Sequence, residues 1–313
     1  MRITVHYKVL RNRFHLFRNY GRFSQKHLKS LVSDIPYPYA NEYFESTSAD
    51  GFAFLGYAQQ ALGLDATYCR DAIRERNYTL NAEQHIKATG ITVPKSNMYV
   101  YTIWPCVEFL NLRGEWNKIE ELVHIIEEIG TYKNGMSRYC THEIDYIVPN
   151  VTSACALLYA ITDRKGKAAS LVNLLRSRQI NGNWRYGRAT SGKQLGMEDS
   201  YHLAMMIYHL RQVQITSQIT TKDLVECALS QLLMINNESL QPGSIGWGIP
   251  MLYIATLGLD NNLSLRALKA MMGTKGLCHQ NFRVRAITAW AMVKGYESLK
   301  KDRPRVQESK GNR

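Results

Sequence analysis

Two kinds of helical segment alternate along this chain. One kind is apolar on nearly every side and dense in Ala, Gly, Ser and Thr. Its copies run from Asp50 to Gly63, Asn97 to Arg113, Asp145 to Thr162, Asp199 to Arg211, Gly246 to Gly258 and Asn281 to Lys294. Leu62, Leu110, Leu158, Leu210 and Leu257 mark a period of roughly 48 residues. The other kind is more polar and falls at about 66–76, 115–130, 165–178, 221–235 and 262–272. In 115–130, Trp116, Ile119, Leu122, Val123, Ile125, Ile126 and Ile129 share one face, and Glu and Lys take the other. Such a stripe marks a helix packed on one side, whereas apolarity all round marks a helix buried on most sides.

A fixed period of this length signals a repeat architecture. Six inner helices, each linked to an outer one, predict an all-α fold of the (α/α)6 toroid type over residues 45–299. Residues 1–44 read as an appended basic segment with a short helix at 24–33, ended by the Pro36 and Pro38 run. Residues 300–313 read as a basic, disordered tail. Strand signals are nearly absent, and only the Ile3–Leu10 stretch alternates.

Charge sharpens this division. Of the net +13, residues 1–33 hold +8 and residues 300–313 hold +4, which leaves +1 for 34–299. The N-terminal stretch interleaves Phe and Tyr with its cations, so residues 1–33 are expected either to meet an anionic membrane surface or to form a plain solvated face. Nucleic acid is not expected as a partner. No apolar run spans a bilayer and no secretory h-region opens the chain, so a cytoplasmic protein, peripheral to a membrane at most, is expected. The six cysteines are scattered, as in a reduced protein. No Walker A, G-x-G-x-x-G, G-x-S-x-G or H-E-x-x-H motif occurs, and no cofactor is expected.

One stretch carries a family likeness. Gln179-Ile-Asn-Gly182-Asn-Trp184-Arg-Tyr186, followed by Glu198-Asp199-Ser-Tyr201-His202, resembles the repeat of squalene–hopene cyclases and protein prenyltransferase β subunits. The resemblance covers residues 45–298 as layout and 179–204 as motif. It implies an α-α toroid with a central cavity, and Asp199-Ser-Tyr201-His202 is similar to the prenyltransferase stretch that supplies a zinc-binding histidine. The cyclase D-x-D-D, the diphosphate-binding D-D-x-x-D and the Asp-x-Cys zinc pair are all missing. Six-hairpin glycosidases, uronate epimerases and lanthionine cyclases share the broader layout. Cys278-His279 is similar to the zinc ligands of the last group, but Arg185 stands where that group has its other cysteine.

In a toroid, residues at the inner-helix N-termini converge on one rim. Asp199 and His202, one turn apart, are expected to share a proton there, with Asp199 or Asp145 as the acid. Glu198 sits beside them, and capping alone accounts for it. Tyr99, Tyr101, Trp104, Trp247 and Tyr253 are expected as an aromatic wall, with Asn150 beside it, and Arg283 and Arg285 as an anion clamp. A structural pairing of these arginines with Glu198 or Asp199 is the alternative. No metal is expected; the one set zinc would use is Cys140, His142, Cys278 and His279, whose spacings are shorter than ordinary zinc motifs.

These expectations lead to a terpenoid cyclase or prenyltransferase-like enzyme acting on an isoprenoid or other apolar, anionic substrate. A carbohydrate-active lyase, epimerase or hydrolase on the same barrel is the alternative. A non-enzymatic binding scaffold, with a plugged cavity, is the third.

Overall fold

A computed structural model describes residues 24–38, 48–79, 84–86, 91–93, 98–142, 144–237, 239–240, 248–272 and 281–301. Six inner helices stand side by side: α2 (Ala49–Ala61), α4 (Val100–Arg113), α6 (Pro149–Ile161), α8 (Ser200–Ser217), α10 (Gly248–Thr256) and α12 (Phe282–Lys301). Each packs on the next, and α12 packs back on α2, so the ring is closed. Outside it lie α3 (Thr67–Glu75), α5 (Trp116–Ile129), α7 (Lys165–Ser177), α9 (Lys222–Ile235) and α11 (Asn261–Met271), each against the inner helix before it. The expected toroid is therefore the observed fold.

The sixth outer helix comes from the N-terminal side. Helix α1 (Gln25–Ser33) touches both α2 and α12 and buries Leu28, Leu31 and Val32 in the common core. The short helix expected within an appended segment thus belongs to the ring. Ser24 caps it by accepting from the His27 N–H.

Composition explains the two layers. Helix α6 buries eleven of its thirteen residues, because Ala, Ser, Thr and Cys let neighbours approach from every side. Helix α5 buries Ile119, Leu122, Val123, Ile126 and Ile129 alone. Each such side chain contributes about 1.5–3 kcal/mol. Trp116, expected on that face, is the first residue of the helix and is 50% exposed.

The links are unequal. Inner-to-outer links such as 114–115 and 162–164 are short, and Gly114 makes one of them at a left-handed φ of 72°. Outer-to-inner links such as 76–99, 130–148 and 178–199 are long. They lead to the rim where the inner helices begin. Two antiparallel hairpins lie in them, β1–β2 (Gln84–Ile86, Ile91–Val93) and β3–β4 (Arg185–Gly187, Gln194–Met197). Neither was expected, since three- and four-residue strands leave no periodic trace. Among the described residues, no helix is long and apolar enough to cross a membrane.

Candidate functional site

Helix α8 opens on a connected set of side chains. Asp199 is its N-cap, and Oδ1 accepts from the main-chain N–H of Tyr201 at 2.9 Å and of His202 at 3.1 Å. The same Oδ1 lies 3.0 Å from His202 Nδ1. Tyr186, on β3, reaches in from the hairpin. Its hydroxyl stands 2.7 Å from His202 Nδ1, donates to Asp199 Oδ2 at 3.2 Å and accepts from the Asp199 N–H at 3.2 Å. Capping and pairing with His202 are thus both true of Asp199. Burial pulls its pKa up, but the bonds and charge of His202 and the Tyr186 hydroxyl outweigh this and hold it below the ordinary value. Burial, followed by the charges of Glu198 and Asp199, raises Tyr186 far above the ordinary range. The cluster therefore contains a carboxylate and a neutral phenol. His202 Nε2 has no partner among the described residues.

Glu198 points the other way. It is 1% exposed, and Oε1 accepts from the Asn150 N–H at 3.3 Å, so it caps α6 and not its own helix. Burial, opposed by that bond and reinforced by Asp199, raises its pKa well above the ordinary value. Asn150 is buried too, with Nδ2 against Met205 Sδ at 3.5 Å.

Asp145 departs from its expected role as an acid. Helix α6 begins only at Pro149, whose fixed φ suits a first helical position, so Asp145 lies before it. Its oxygens accept from Thr190 N and Oγ1, both at 2.8 Å, and face Arg188 at 3.6 Å. It fastens the β3–β4 hairpin to the 130–148 link. Arg283 departs likewise. It holds Asp50 through Nε at 2.6 Å and through Nη2, both groups being buried, and lies over the Tyr101 ring. Asp50 is thus its partner, in place of Glu198 or Asp199. Arg285 is buried one turn beyond the Asn281 carbonyl that its N–H meets.

The expected aromatic wall is mostly packing. Trp104 is 1% exposed and wedged among Phe54, Tyr208, His209 and Trp290. Tyr253 is buried against Gly295. Tyr99 is buried and clusters with Tyr101 and Tyr139. Half-buried Tyr101 and Tyr201 keep partial access at the rim, and Tyr201 meets His202 edge-on at 5.2 Å. Cys140 is a buried thiol, raised by burial to about 11, that donates to the His142 carbonyl at 3.2 Å. Cys278, His279 and Trp247 lie outside the described residues, as do residues 1–23 of the basic segment and 302–313 of the tail. Among the described residues no metal-ligand cluster forms. Tyr186 was not singled out, although it ends the Gly182-Asn-Trp184-Arg-Tyr186 run. The Trp184 of that run is fully buried and donates to the Leu175 carbonyl.

No family model and no curated protein matches the chain. Solved structures do. An α-mannanase of glycoside hydrolase family 76 from Bacteroides thetaiotaomicron aligns with a TM-score of 0.58 and 13% identity, over 93% of this chain and 100% of that one. A family 76 mannosidase from the same organism gives 0.58 and 11%, over 89% and 98%. An inactive α-1,6-mannanase variant from Salegentibacter, with two successive aspartates replaced and α-1,6-mannotriose bound, gives 0.52 and 11%, over 88% and 97%.

The shared feature is the toroid. These matches overturn the terpenoid cyclase or prenyltransferase reading, since the toroids this chain resembles are glycoside hydrolases. The packing agrees, because Trp104 and Tyr253 are spent on the core.

Proposed function

We propose that this protein is a carbohydrate-active enzyme whose reaction turns on proton transfer by His202 at the N-terminal rim of the ring. One observation carries the reading. The Asp199–His202–Tyr186 cluster occupies both sides of Nδ1 and leaves Nε2 without a partner. A carboxylate on Nδ1 orients the ring and fixes its tautomer, which makes Nε2 an oriented acid–base group. Asp199 and Tyr186 are positioning residues in this account.

Within that class, lyase or epimerase chemistry has the better support. Two-carboxylate hydrolysis needs two carboxyl groups flanking the scissile bond across a groove. Here Glu198 is buried and Asp50 is held by Arg283. His202 needs no second carboxylate to remove a proton next to a sugar carboxylate. The acid-free 179–197 stretch, with exposed Arg185 and Lys193, suits an acidic saccharide. Half-buried Tyr201, edge-on to His202, keeps partial access at the same rim.

Hydrolysis is the second reading. It is favoured by the adjacent carboxyls Glu198 and Asp199, because an inactive Salegentibacter relative in fold has two successive aspartates replaced.

The test is a panel of uronate oligosaccharides and α-1,6-manno-oligosaccharides, with three readouts: ultraviolet absorbance of unsaturated products, new reducing ends, and deuterium uptake from heavy water. Unsaturated product or deuterium uptake supports the lead reading. Reducing ends without unsaturation support hydrolysis. Turnover equal in wild type and His202→Gln removes His202 from the reaction.

A further inference from the structure

A second polar pocket lies at the opposite end of the ring, where the inner helices finish. Gln212 is ten residues beyond His202 on α8, about 15 Å along the helix. The cavity measures about 130 Å³ and is lined in part by Tyr57, Glu108, Asn111, Gln212, Thr216 and Lys294. These come from α2, α4, α8 and α12, so the site depends on ring closure.

Its base is a buried charged network. Glu108 Oε1 accepts from the Tyr208 hydroxyl at 2.6 Å and lies 3.6 Å from Lys294 Nζ. The ammonium stands 4.2 Å over the Tyr57 ring. Burial works to lower the Lys294 pKa, but Glu108, with Tyr208 and Tyr57, outweighs it and keeps the ammonium charged. Glu108 is 7% exposed, and its Oε2 has no hydrogen-bond partner among the described residues. A buried acceptor left in that state is costly, which calls for a donor from outside the protein.

The mouth selects the ligand class. The side chains of Asn111, Gln212 and Thr216 make no hydrogen bond among the described residues. Amides and hydroxyls both donate and accept. A phosphate or carboxylate would meet Lys294 but also Glu108 and the negative ends of several helices. A cation would meet Lys294. A neutral molecule whose hydroxyls donate and accept meets no like charge and can serve every uncommitted group. At about 130 Å³ the cavity approaches the size that admits a molecule of about six heavy atoms, and because it opens to solvent a larger ring can seat only one edge in it.

We propose that this pocket binds a small neutral polyhydroxylated molecule, a polyol or one monosaccharide unit, independently of the His202 site. The experiment is an NMR or calorimetric titration of the full-length protein with glycerol and with mannose, and with phosphate and ammonium as charged probes. Asn111→Leu and Gln212→Leu alter half-buried or exposed positions and spare the core. The expected result is saturable binding of glycerol or mannose, weakened about tenfold or more in either variant and unchanged in His202→Gln. Binding of mannose but not glycerol identifies the ligand as a sugar unit, and the reverse identifies a free polyol. Overturning results are no saturable binding of either, binding indifferent to both pocket variants, or tighter binding of phosphate or ammonium. The turnover experiment is unaffected by any of these outcomes, so the two proposals fail separately.

Discussion

Asp50 and Arg283 meet where the ring closes. Asp50 stands in the first turn of the first inner helix, Arg283 in the first turn of the last, and Arg283 Nε reaches Asp50 Oδ2 at 2.6 Å. They are 233 positions apart in the chain. Both are buried, so the pair has lost its water and depends on its own geometry, with Ser48 Oγ and the Gly51 N–H also on Asp50. Breaking a buried pair costs more than the pair contributes, because one charge is left uncompensated. Arg283→Met is expected to destabilise the protein by about 3–5 kcal/mol. Asp50→Asn with Arg283→Met is expected to cost less than the sum of the two single changes. Chemical denaturation of the four proteins checks both statements.

Glu198 makes stability fall as pH rises. Its folded pKa is raised, so above the ordinary carboxyl value the unfolded chain releases a proton that the folded chain retains. The loss grows at about 1.4 kcal/mol per pH unit until the folded carboxyl ionises too. Glu198→Gln keeps an acceptor for the Asn150 N–H and removes the titration. It is expected to be more stable than wild type at pH 8 and to match it near pH 4, as read by denaturation at both values.

His209 acts in the opposite direction. It is fully buried beside Trp104, with Nδ1 3.0 Å from Ser153 Oγ, and burial pushes its pKa down from 6.5 to about 3. On acidification the unfolded chain takes up a proton first. Stability is therefore full above about pH 6.5 and lost as pH falls towards 3, by an amount on the order of 5 kcal/mol. His209→Gln is expected to move the acid-unfolding midpoint to lower pH.

At Gly56, helix α2 is crowded by α3 and α4 together. A methyl group there would lie 2.8 Å from Phe109 Cζ and 2.9 Å from Cys69 Cβ. Alanine gains about 1 kcal/mol of helix propensity. Overpacking costs about 1–3 kcal/mol, and Cys69 Cβ cannot move without its backbone. Gly56→Ala is thus expected to lower stability by roughly 1 kcal/mol, measurable as a shifted urea midpoint.

The ring was legible because burial on all sides leaves a compositional mark. Segments such as Val151–Leu158 have no polar face, whereas Ile119–Ile129 has one. The place of α1 in the outer layer was not legible, since nine residues beside a basic stretch carry no sign of which helices they will touch. Asp199 and His202 were legible as a pair because helical spacing puts them on one face. Asp145 was misread because an apparent helix start was set four residues too early, and a carboxylate in a link answers to the hairpin, here Thr190. Tyr186 was overlooked because Asp199 lies thirteen positions further on, beyond the hairpin, and only the fold brings the two together. Arg283 was assigned to ligand because its partner, Asp50, is distant in sequence.

The most direct measurement is kcat/KM on whichever saccharide of the panel is turned over, for wild type, His202→Gln, Asp199→Asn and Tyr186→Phe, each with its folded state checked by circular dichroism. His202→Gln is expected to lose about 10²–10⁴-fold, as removal of a general acid–base does. The other two are expected to lose less and to shift the pH profile. His202→Gln that is folded and as active as wild type would contradict the account.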